Sequence, residues 1–393
     1  MAKLFSITGK ALSGEWGTDD EDGNGIPVLR TTNFTNEGVV DYKDVVTRTI
    51  NKKNIDEKYL RKGDIIIEKS GGSDKQPVGR VIFFEGVENT YLFNNFTGLL
   101  RVKDTEEWVP EYVFYSLYAN YLRGGTRQYE NKTTGLHNLK MDAYISDFDV
   151  KEYSIEKQRE ICKRIKECRT VIYLQRQQLK DLDTLIKSRF VELFGDVKTN
   201  KYGWEKCCFG DVATKITDGE HGTVPRVEKG EGYLYFMARN ITKDGNIDLT
   251  ETSYVPEEVH RKIYKRCNPE IGDILLVCVG ATIGKCTIVP KDFEEFSMAR
   301  SVALIKPDRQ KVNSIFLISL LKSDAIQSDI FICAHAAAQA GLYTNMIINL
   351  DAFLPPLELQ NQFAAFVEQT YKLKLIKSLI YHTGGVKCQT LNF

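Results

Sequence analysis

The stretch IEKQREICKRIKECRTVIYLQRQQLKDLDTLIKSRFVELF (155–194) carries the most regular pattern in this chain. Its mostly apolar positions alternate in steps of four and three residues for more than four heptads. They are Ile161, Ile165, Cys168, Ile172, Gln175, Leu179, Leu182, Ile186, Arg189 and Leu193. This spacing is typical of a coiled-coil helix rather than a globular surface helix. At about 1.5 Å per residue the helix would be about 60 Å long, and its single narrow seam requires a partner.

Residues at both ends of this connector support a helix there. Ser154 can cap the start, and Glu156 and Glu160 lie near the positive end of the helix dipole. Gly195 is suited to end the helix.

A second helix, over residues 358–381 after Pro355-Pro356, is the predicted partner of the connector. The simplest arrangement packs it antiparallel on the connector, with Gln175 and Gln369 as polar seam residues that fix the register. Because it is only about 25 residues long, we expect it to leave part of the connector uncovered. Its seam positions are Phe366, Gln369, Leu373, Ile376 and Ile380.

The segments before and after the connector repeat one another at a spacing of about 205 residues. The first copy contains IPVLRTTNFTNEG (26–38), GDIII (63–67), GRV (79–81), TGL (134–136) and IEKQ (155–158). The second contains YLYFMARNITKDG (233–245), GDILL (272–276), GKC (284–286), AGL (340–342) and LELQ (357–360). A period of this length indicates a duplicated domain plus its connector. Two similar modules on one rod suit a ligand that is itself split into two separated parts.

Strand and helix patterns within the two copies follow one plan. Strands are predicted over 64–68, 81–85 and 99–102 in the first copy and over 272–279, 285–289 and 301–305 in the second. A helix follows in each, over 110–122 and from 312 to about 333. The predicted fold class is α+β, with two similar mostly-β domains joined by long antiparallel coiled-coil helices. The predicted segments are module one (1–150), the connector (151–196), module two (197–354) and a C-terminal helix with its tail (355–393).

Composition places the chain among ordinary globular proteins and argues against several classes. The apolar share is 42% and the charged share is 27%. The N-terminus has no secretory signal pattern, and no segment has the roughly 18 uninterrupted apolar residues of a membrane span. The nine cysteines include no Cys-x-x-Cys pair, so we expect reduced, mostly buried thiols in a cytoplasmic protein without a metal site.

The charge balance neither requires nor excludes a nucleic-acid partner. The chain has 53 basic and 53 acidic residues, whereas phosphate contacts need cations. Residues 151–200 contain 12 basic and 8 acidic residues, while both modules are mildly acidic. A neutral chain can bind DNA if its cations line one face, or if a partner supplies part of the phosphate contacts.

Motifs of the common catalytic classes are missing from the sequence. There is no P-loop, no glycine-rich dinucleotide-binding turn, no His-Glu-x-x-His and no Gly-x-Ser-x-Gly. The Asp/Asn-Pro-Pro-Tyr/Phe signature of base methyltransferases is also absent. The paired carboxylates Glu257-Glu258 and Glu294-Glu295 are interpreted as solvated turns. Duplicated domains without a catalytic constellation favour a recognition protein over an enzyme.

Several ordered motifs give the chain a family resemblance. Module two contains WEK (204–206), GDV (210–212), GDIL (272–275), GATIGK (280–285) and GL (341–342). The most specific motif is LPPLELQ (354–360) at the start of a helix, with a weaker echo in YSIEKQ (153–158). Present twice around a long helix, this ordered set covers nearly the whole chain. The chain resembles the specificity subunit of type I restriction–modification enzymes.

The resemblance implies two target-recognition domains, each reading one half of a bipartite DNA sequence. The helices would set the gap between the halves and dock methyltransferase (modification) subunits. Adenine methylation and ATP-driven cleavage would belong to partner chains. S-adenosylmethionine, ATP and Mg²⁺ are therefore expected on those chains, and no cofactor is expected on this one. A restriction/translocase subunit is a further expected partner, and a membrane is not.

The sequence departs from the family pattern at both ends. The N-terminus has no counterpart of the Trp-Glu-Lys motif at 204–206, so module one is expected to be trimmed. The C-terminal helix is expected to be short.

Base reading needs side chains that reach base edges, such as Arg or Lys for guanine and Asn or Gln for adenine. Polar loops of both modules are the predicted sites, and both histidines in them are interpreted as surface or contact residues rather than metal ligands. The predicted DNA-contacting residues of module one are Lys69, Ser73, Lys75, Gln76, Arg127, Gln128, Lys132, Thr133, His137 and Asn138. Those of module two are Lys215, Thr217, His221, Thr223, Arg226, Thr282, Lys285, Gln339, Tyr343 and Asn345.

Two other functions stand beside DNA recognition. One is a standalone DNA methyltransferase or nuclease, which the missing motifs oppose. The other is a coiled-coil scaffold that binds only proteins, and it predicts no sequence-specific binding of duplex DNA.

Overall fold

The structure is a computed structural model that describes residues 1–52, 55–133, 136–291, 293–336 and 341–389. Within these ranges the side chains of residues 132, 133, 136, 336 and 378–389 are not described. The chain divides into two compact units, Met1–Tyr173 with Gly385–Phe393 and Leu174–Gly384. The division falls inside the connector, so the four-part segmentation made from the sequence stays a prediction.

Module one consists of short strands and helices. Its strands are β1 (Ala2–Lys3), β2 (Leu12–Ser13), β3 (Thr18–Asp19), β4 (Ile26–Leu29), β5 (Val46–Thr49), β6 (Ile65–Glu68), β7 (Ser70–Gly72), β8 (Val81–Phe83), β9 (Leu92–Phe93), β10 (Thr97–Leu100), β11 (Glu130–Thr133), β12 (Leu136–Leu139) and β13 (Asp149–Val150). Its helices are α1 (Leu4–Thr8), α2 (Pro110–Leu122) and α3 (Met141–Asp147). The bounds of α2 are those predicted, because Pro110 fits a first turn and Gly124, at φ 75°, suits the end.

The connector is helix α4 (Ile155–Phe194), and module two follows it. The strands of module two are β14 (Glu205–Cys208), β15 (Ala213–Asp218), β16 (Tyr233–Phe236), β17 (Tyr254–Val255), β18 (Ile274–Val277), β19 (Cys286–Ile288), β20 (Phe296–Met298), β21 (Val302–Pro307) and β22 (Asp351–Leu354). Its helices are α5 (Glu257–Cys267), α6 (Ser314–Leu321), α7 (Asp324–Ala336) and α8 (Thr344–Ile348), and α9 (Leu357–Gln389) comes last.

Both modules place equivalent strands in the same order. The main sheet of module one has the order β2-β10-β6-β8, and that of module two has the order β15-β21-β18-β19. Neighbouring strands in both sheets are antiparallel. A second sheet in each module contains a parallel pair, β4 with β9 and β16 with β20. The predicted duplication and the α+β class are confirmed.

In each main sheet, the strand that follows the Gly-Asp pair (β6 or β18) is apolar on both faces because it lies between two cores. Ile65 packs into the core that contains α2, whereas Ile66 packs into the core shared with the second sheet. In module two, Ile274 and Leu275 divide in the same way. All four side chains are fully buried, and burial of each stabilises the fold by roughly 1.5–3 kcal/mol. This double burial explains the unbroken apolar runs after each Gly-Asp pair.

The Gly-Asp pair fixes the start of the central strand. Gly272 has φ 86°, a conformation that a residue with a Cβ rarely adopts. Asp273 Oδ2 lies 2.6 Å from Nζ of Lys306 on the neighbouring strand, and Asp64 Oδ2 lies 2.6 Å from Nη2 of Arg101. Burial raises the pKa of Asp273, and the hydrogen bond from Lys306 opposes that shift. These motif residues therefore support the sheet.

The glutamine of each helix-start motif fastens a long helix to its module. Gln360 is fully buried. Its Oε1 accepts from Asn313 N at 2.8 Å, and its Nε2 donates to Lys311 O at 3.2 Å and to Pro355 O at 2.8 Å. Gln158 forms the same kinds of bond at the start of α4. The motif that carries the family resemblance is thus a structural joint between helix and module.

Each module is closed by pairing of its first and last strands. β14 pairs antiparallel with β22. Trp204, the residue before β14, donates from Nε1 to Phe194 O at 2.9 Å. β1 pairs antiparallel with β13. Ala2–Lys3 thus supplies the closing strand of module one without a Trp-Glu-Lys sequence.

Helix α4 is continuous over its whole length. The side chains at the predicted seam positions are buried or half-buried, while most of those between them are exposed. Ile161 and Ile165 pack against the core of module one, and Ile186 and Phe190 belong to the core of module two. The modules therefore cover the two ends of the seam, and a partner helix is needed only along its middle.

Helix α9 packs antiparallel on α4, as predicted. Lys374 Nζ lies 2.6 Å from Asp183 Oδ1, and Lys377 Nζ lies 2.7 Å from Gln178 Oε1. Nearer the start of α9, the ring of Phe363 packs edge-on against the last two phenylalanines of α4. Residues further along α9 thus contact residues nearer the start of α4, so the two helices run antiparallel.

Two predictions about α9 are wrong. The helix has 33 residues rather than about 25. Its buried stripe contains Phe363, Val367 and Thr370 rather than the predicted seam. The packing of Phe363 against α4 sets the rotation of the helix. Of the predicted seam, Phe366 still packs at the margin of the same core. Phe366 is half-buried, Gln369, Leu373 and Ile376 are exposed, and the side chain of Ile380 lies outside the described part of the chain.

Other differences are local. The helix expected from 312 to 333 is divided into α6 and α7, and Gln327 Nε2 donates to Leu321 O at 2.7 Å across the break. Glu257 and Glu258, interpreted as a turn, begin α5, where the positive end of the helix dipole favours carboxylates. The described cysteines are free thiols. None of the helices in the described ranges combines the length and the apolar character of a membrane span.

Candidate nucleic-acid interface

One edge of the main sheet collects the loops of each module. In module two, β15 and β18 both pair antiparallel with β21, so their C-terminal ends meet the start of β21. The register places Asp218 and Leu276 beside Ala303 at this edge. We call it the loop edge. It comprises residues 219–227, 278–285 and 299–301 in module two and residues 14–17, 69–80 and 94–96 in module one.

Module one extends its loop edge with a small sheet of order β11-β12-β7. β12 pairs with β7, with His137 opposite Gly72. The two polar segments 69–76 and 123–140 therefore lie side by side. Much of both is in strands or in the 3-10 turn Arg127–Tyr129 rather than in loops. The sequence did not reveal these strands because they lack an alternating apolar pattern.

A depression of about 660 Å³ opens beside this small sheet. Gln76 in it donates from Nε2 to Asn36 Oδ1 at 3.3 Å, which orients both amides. The depression holds three cations and two amides, the residue types that contact phosphates and base edges. It brings together predicted contacts in both segments and adds Arg123, the first residue of the second segment, which was not among the named contacts. Its lining residues are Asn36, Lys75, Gln76, Pro77, Tyr121, Leu122, Arg123, Gly124 and Arg127.

Glu15 at this loop edge and Glu68 beside it are paired with cations. Hydrogen bonds from Lys52 and Lys58 lower the pKa of Glu15. The buried carboxylate of Glu68 faces Arg80, with Oε1 and Nη2 3.5 Å apart. Burial raises the pKa of Glu68, and the charge of Arg80 opposes the shift. Such pairing reduces the repulsion that these acids would exert on a phosphate backbone.

The prediction that His137 lies at the surface is wrong. The residue is 5% exposed. Its Nδ1 lies 3.0 Å from Glu130 Oε2, and its Nε2 lies 3.6 Å from Asp74 Oδ1. Glu130 also accepts from Val78 N at 3.0 Å. His137 therefore helps to hold the tip of the 73–76 turn. The contact with Glu130 could not be predicted from the sequence, because it depends on the pairing of β11 with β12.

The remaining contacts predicted in module one lie on or beside the same small sheet. Ser73 Oγ accepts from Gln76 N at 3.1 Å and so tightens the turn. The backbone of Lys132 and Thr133 lies in β11, and their side chains fall outside the described part of the chain. Lys69, Ser73 and Gln128 are exposed, and Asn138 is half-buried.

The polar segment 215–226, which we call the finger of module two, contains five of the predicted contacts and is partly a strand. Lys215 and Thr217 lie in β15, and the ammonium of Lys215 donates to Arg266 O. Lys215 is thus engaged within the module rather than held out on a loop. His221 is exposed, as predicted, with Nε2 2.6 Å from Asp218 Oδ2. Among the described residues, no group of three or more His, Cys, Asp or Glu is placed to hold a metal ion.

The rest of the finger and two further segments reach the loop edge. Thr223 is exposed, and the guanidinium of Arg226 lies 4.0 Å above the ring of Tyr235. Leu342 N donates to Cys278 O at 2.8 Å, which brings the 341–345 segment next to the 278–285 turn. Of the predicted contacts there, Thr282 and Lys285 are half-buried, Tyr343 and Asn345 are exposed, and Gln339 lies outside the described residues.

One turn of the loop edge in each module was not predicted from the sequence. Between β9 and β10 this turn presents Asn95 and Phe96, and between β20 and β21 it presents Arg300. All three are exposed. The sequence NNFTG (94–98) did carry a signal, because asparagine and glycine favour turns and an aromatic residue within one is often exposed.

Comparisons with known proteins point to one family. No protein-family model matches the chain. A segment of 128 residues is 31% identical to the type I restriction enzyme EcoBI specificity subunit of Escherichia coli. This segment is 33% of the chain and spans only 26% of that relative.

Solved structures match over nearly the whole chain. The type I restriction–modification system S subunit of M. genitalium is 14% identical, with 98% of this chain and 94% of that chain covered and a TM-score of 0.51. A chain from work on complex assembly and conformational transition of the type I R-M system is 15% identical. It covers 99% of this chain and 95% of its own length, with a TM-score of 0.55. The resemblance seen in the sequence is confirmed, and the chain has the fold of the S subunits of type I restriction–modification systems.

Proposed function

We propose that this chain is the DNA sequence-recognition (specificity) subunit of a type I restriction–modification complex. Each module reads one half of a bipartite DNA site through its loop edge. Helices α4 and α9 set the spacing between the halves and dock methyltransferase subunits. The chain matches about a quarter of the length of the E. coli specificity subunit.

The observation that carries this proposal is the pair of different loop edges on one repeated scaffold. The main sheets have the same strand order. In module one the edge is completed by β7, β11 and β12. In module two α7 takes that place, and Gln327 on it donates to Gly284 O at 3.2 Å. A shared scaffold with different side chains at the same edge suits the reading of two different short sequences.

The chemistry of these edges fits duplex DNA. Exposed Lys75, Arg123 and Arg127 can contact phosphates, and the amides of Asn36 and Gln76 can reach adenine edges. Because the chain has no net charge, modification subunits are expected to supply part of the phosphate contacts. The proposed DNA contacts are those predicted from the sequence together with Asn36 and Arg123. Lys215 and His137 are left out because their side chains are bonded within their own modules.

Catalysis is proposed to reside on partner chains in the cytoplasm. The missing methyltransferase and P-loop motifs support a chain that selects the site while modification subunits methylate it. S-adenosylmethionine, ATP and Mg²⁺ would then bind those subunits and, where one is present, a restriction/translocase subunit.

Genome-wide mapping of methylated bases in the host, with and without this gene, tests the proposal. The expected result is a two-part motif that disappears when the gene is deleted and returns when it is restored. A methylation pattern that does not depend on the gene would refute the proposal.

A further inference from the structure

We propose that the turn in the middle of each loop edge is a base-reading element. Arg300 reads a guanine in module two, and Phe96 makes an apolar contact with a thymine methyl group in module one. This inference rests on the proposed function and deepens it, since neither residue is among the contacts predicted from the sequence.

The two turns have equivalent backbones. Within the turn, Thr97 N donates to Asn94 O at 3.1 Å, and Val302 N donates to Ala299 O at 3.0 Å. A hydrogen bond from the neighbouring strand also recurs in both modules. It joins Lys69 N to Phe96 O at 2.8 Å in module one and Cys278 N to Ser301 O at 2.9 Å in module two. Arg300 thus takes the place of Asn95, next to that of Phe96.

A glycine packs closely against the backbone of each turn: Gly14 in module one and Gly219 in module two. A Cβ on Gly14 would lie 2.1 Å from Asn94 O, and one on Gly219 would lie 2.3 Å from Ala299 O. The following residue donates in both modules, from Glu15 N to Phe93 O and from Glu220 N to Met298 O, each at 2.8 Å. The turn is therefore held from two sides, and a fixed backbone is what precise positioning of a reading side chain requires.

The side chains at the tips are available to a ligand. Within the described part of the chain, the guanidinium of Arg300 makes no hydrogen bond or ion pair, and the residue is exposed. Arg266 and Arg309, by contrast, donate to backbone carbonyl groups of module two. Phe96 is 51% exposed, whereas Phe93 at the end of β9 is 1% exposed.

The residue types select the base. An arginine can donate two parallel hydrogen bonds to O6 and N7 of guanine, and phenylalanine can pack against the methyl group of thymine. Arg300 could instead contact a phosphate, which would strengthen binding to every sequence equally. The two possibilities differ in what substitution does, so the test separates them.

The test uses the full chain in complex with the modification subunits of its host. The wild-type complex first methylates a pool of duplex DNA with randomised positions, which defines its motif. R300A, R300K and R309A are then compared on duplexes that carry each of the four base pairs at each motif position. R309A is the matched control, because Arg309 is also exposed but follows β21 at the opposite end of the strand.

With R300A, preference at one guanine of one half-site should fall roughly 10- to 100-fold, the range of a bidentate base contact. R300K should retain part of the preference, and R309A all of it. A uniform loss on all sequences with a weaker salt dependence would mean a phosphate contact and would overturn the inference, as would an unchanged motif. A wild-type complex without a two-part motif would instead refute the proposed function itself.

Phe96 is tested in the same pool. F96A should relax preference at one thymine of the other half-site, and F96L should keep part of it because it retains apolar contact. Phe5 is 45% exposed and lies near Lys103, beyond the opposite end of β10, so F5A is the matched control. If F96A and F5A give the same motif as wild type, the module-one part of the inference is wrong.

Discussion

Replacement of Gln360 by methionine tests whether the motif glutamine is a structural joint. Methionine keeps the length and the apolar volume but removes three hydrogen bonds of a buried side chain, to Asn313 N, Lys311 O and Pro355 O. With about 1 kcal/mol net for each bond, the loss in free energy of unfolding should be about 3 kcal/mol. The loss in free energy of unfolding would be larger if the backbone groups left without a partner are not hydrated. For a unit of this size that corresponds to a decrease in Tm of roughly 6–12 °C.

Calorimetry of the purified chain measures the effect, and Q362M is the matched control. Gln362 lies two residues further along α9, is exposed, and within the described part of the chain makes no hydrogen bond, so its replacement should change Tm by no more than about 2 °C. Q158M should destabilise module one in the same way, since Gln158 makes the same kinds of bond there. Equal Tm values for Q360M and Q362M would refute the assignment of Gln360 as a joint.

Two further predictions concern single residues of module two. Ala at Gly219 would place a Cβ 2.3 Å from the carbonyl oxygens of Met298 and Ala299, so chemical denaturation should show a loss of about 1–3 kcal/mol. Ala at Gly222, near only the flexible end of Glu220, should cost under about 0.5 kcal/mol, and equal losses would contradict the close approach. Burial lowers the pKa of His260, so the folded state disfavours its protonation. The contribution of neutral His260 to the free energy of unfolding should therefore be fully present above its unfolded pKa of about 6.5 and decrease as the pH falls below that value. His260→Asn should weaken that dependence, and denaturation curves at pH 7.5 and 5.5 that change equally for both proteins would speak against it.

The parts of the fold that were predictable have strong local patterns. The heptad spacing of α4, the Pro110 start of α2 and the repeated Gly-Asp pairs each reflect a local physical requirement. They therefore located the connector, a helix with its bounds and the duplicated central strand. The sequence of α9 was less informative, because Leu373 and Ile376 are apolar yet exposed while Thr370 is buried. Packing of Phe363 in the module core, which no periodicity reports, decided which face meets α4.

The candidate site was predictable as segments but not as geometry. The polar stretches around Lys75 and Arg127 were identified, and the fold brings them to one depression. Their arrangement depends on the β7–β12 pairing, in which polar residues form strands without apolar alternation. The same pairing buries His137, which its sequence neighbours did not indicate. Arg300 was missed because its turn becomes prominent only when β15, β18 and β21 are aligned.

Exchange of module one, residues 1–150, for the corresponding module of a type I specificity subunit with a different DNA motif tests the central claim most directly. The chimera is expressed with the modification subunits, and methylated sites are mapped across the genome. If each module reads its own half of the DNA site, one half of the motif should be replaced while the other half remains as in the wild type. A chimera that changes both halves, or neither, would contradict the account.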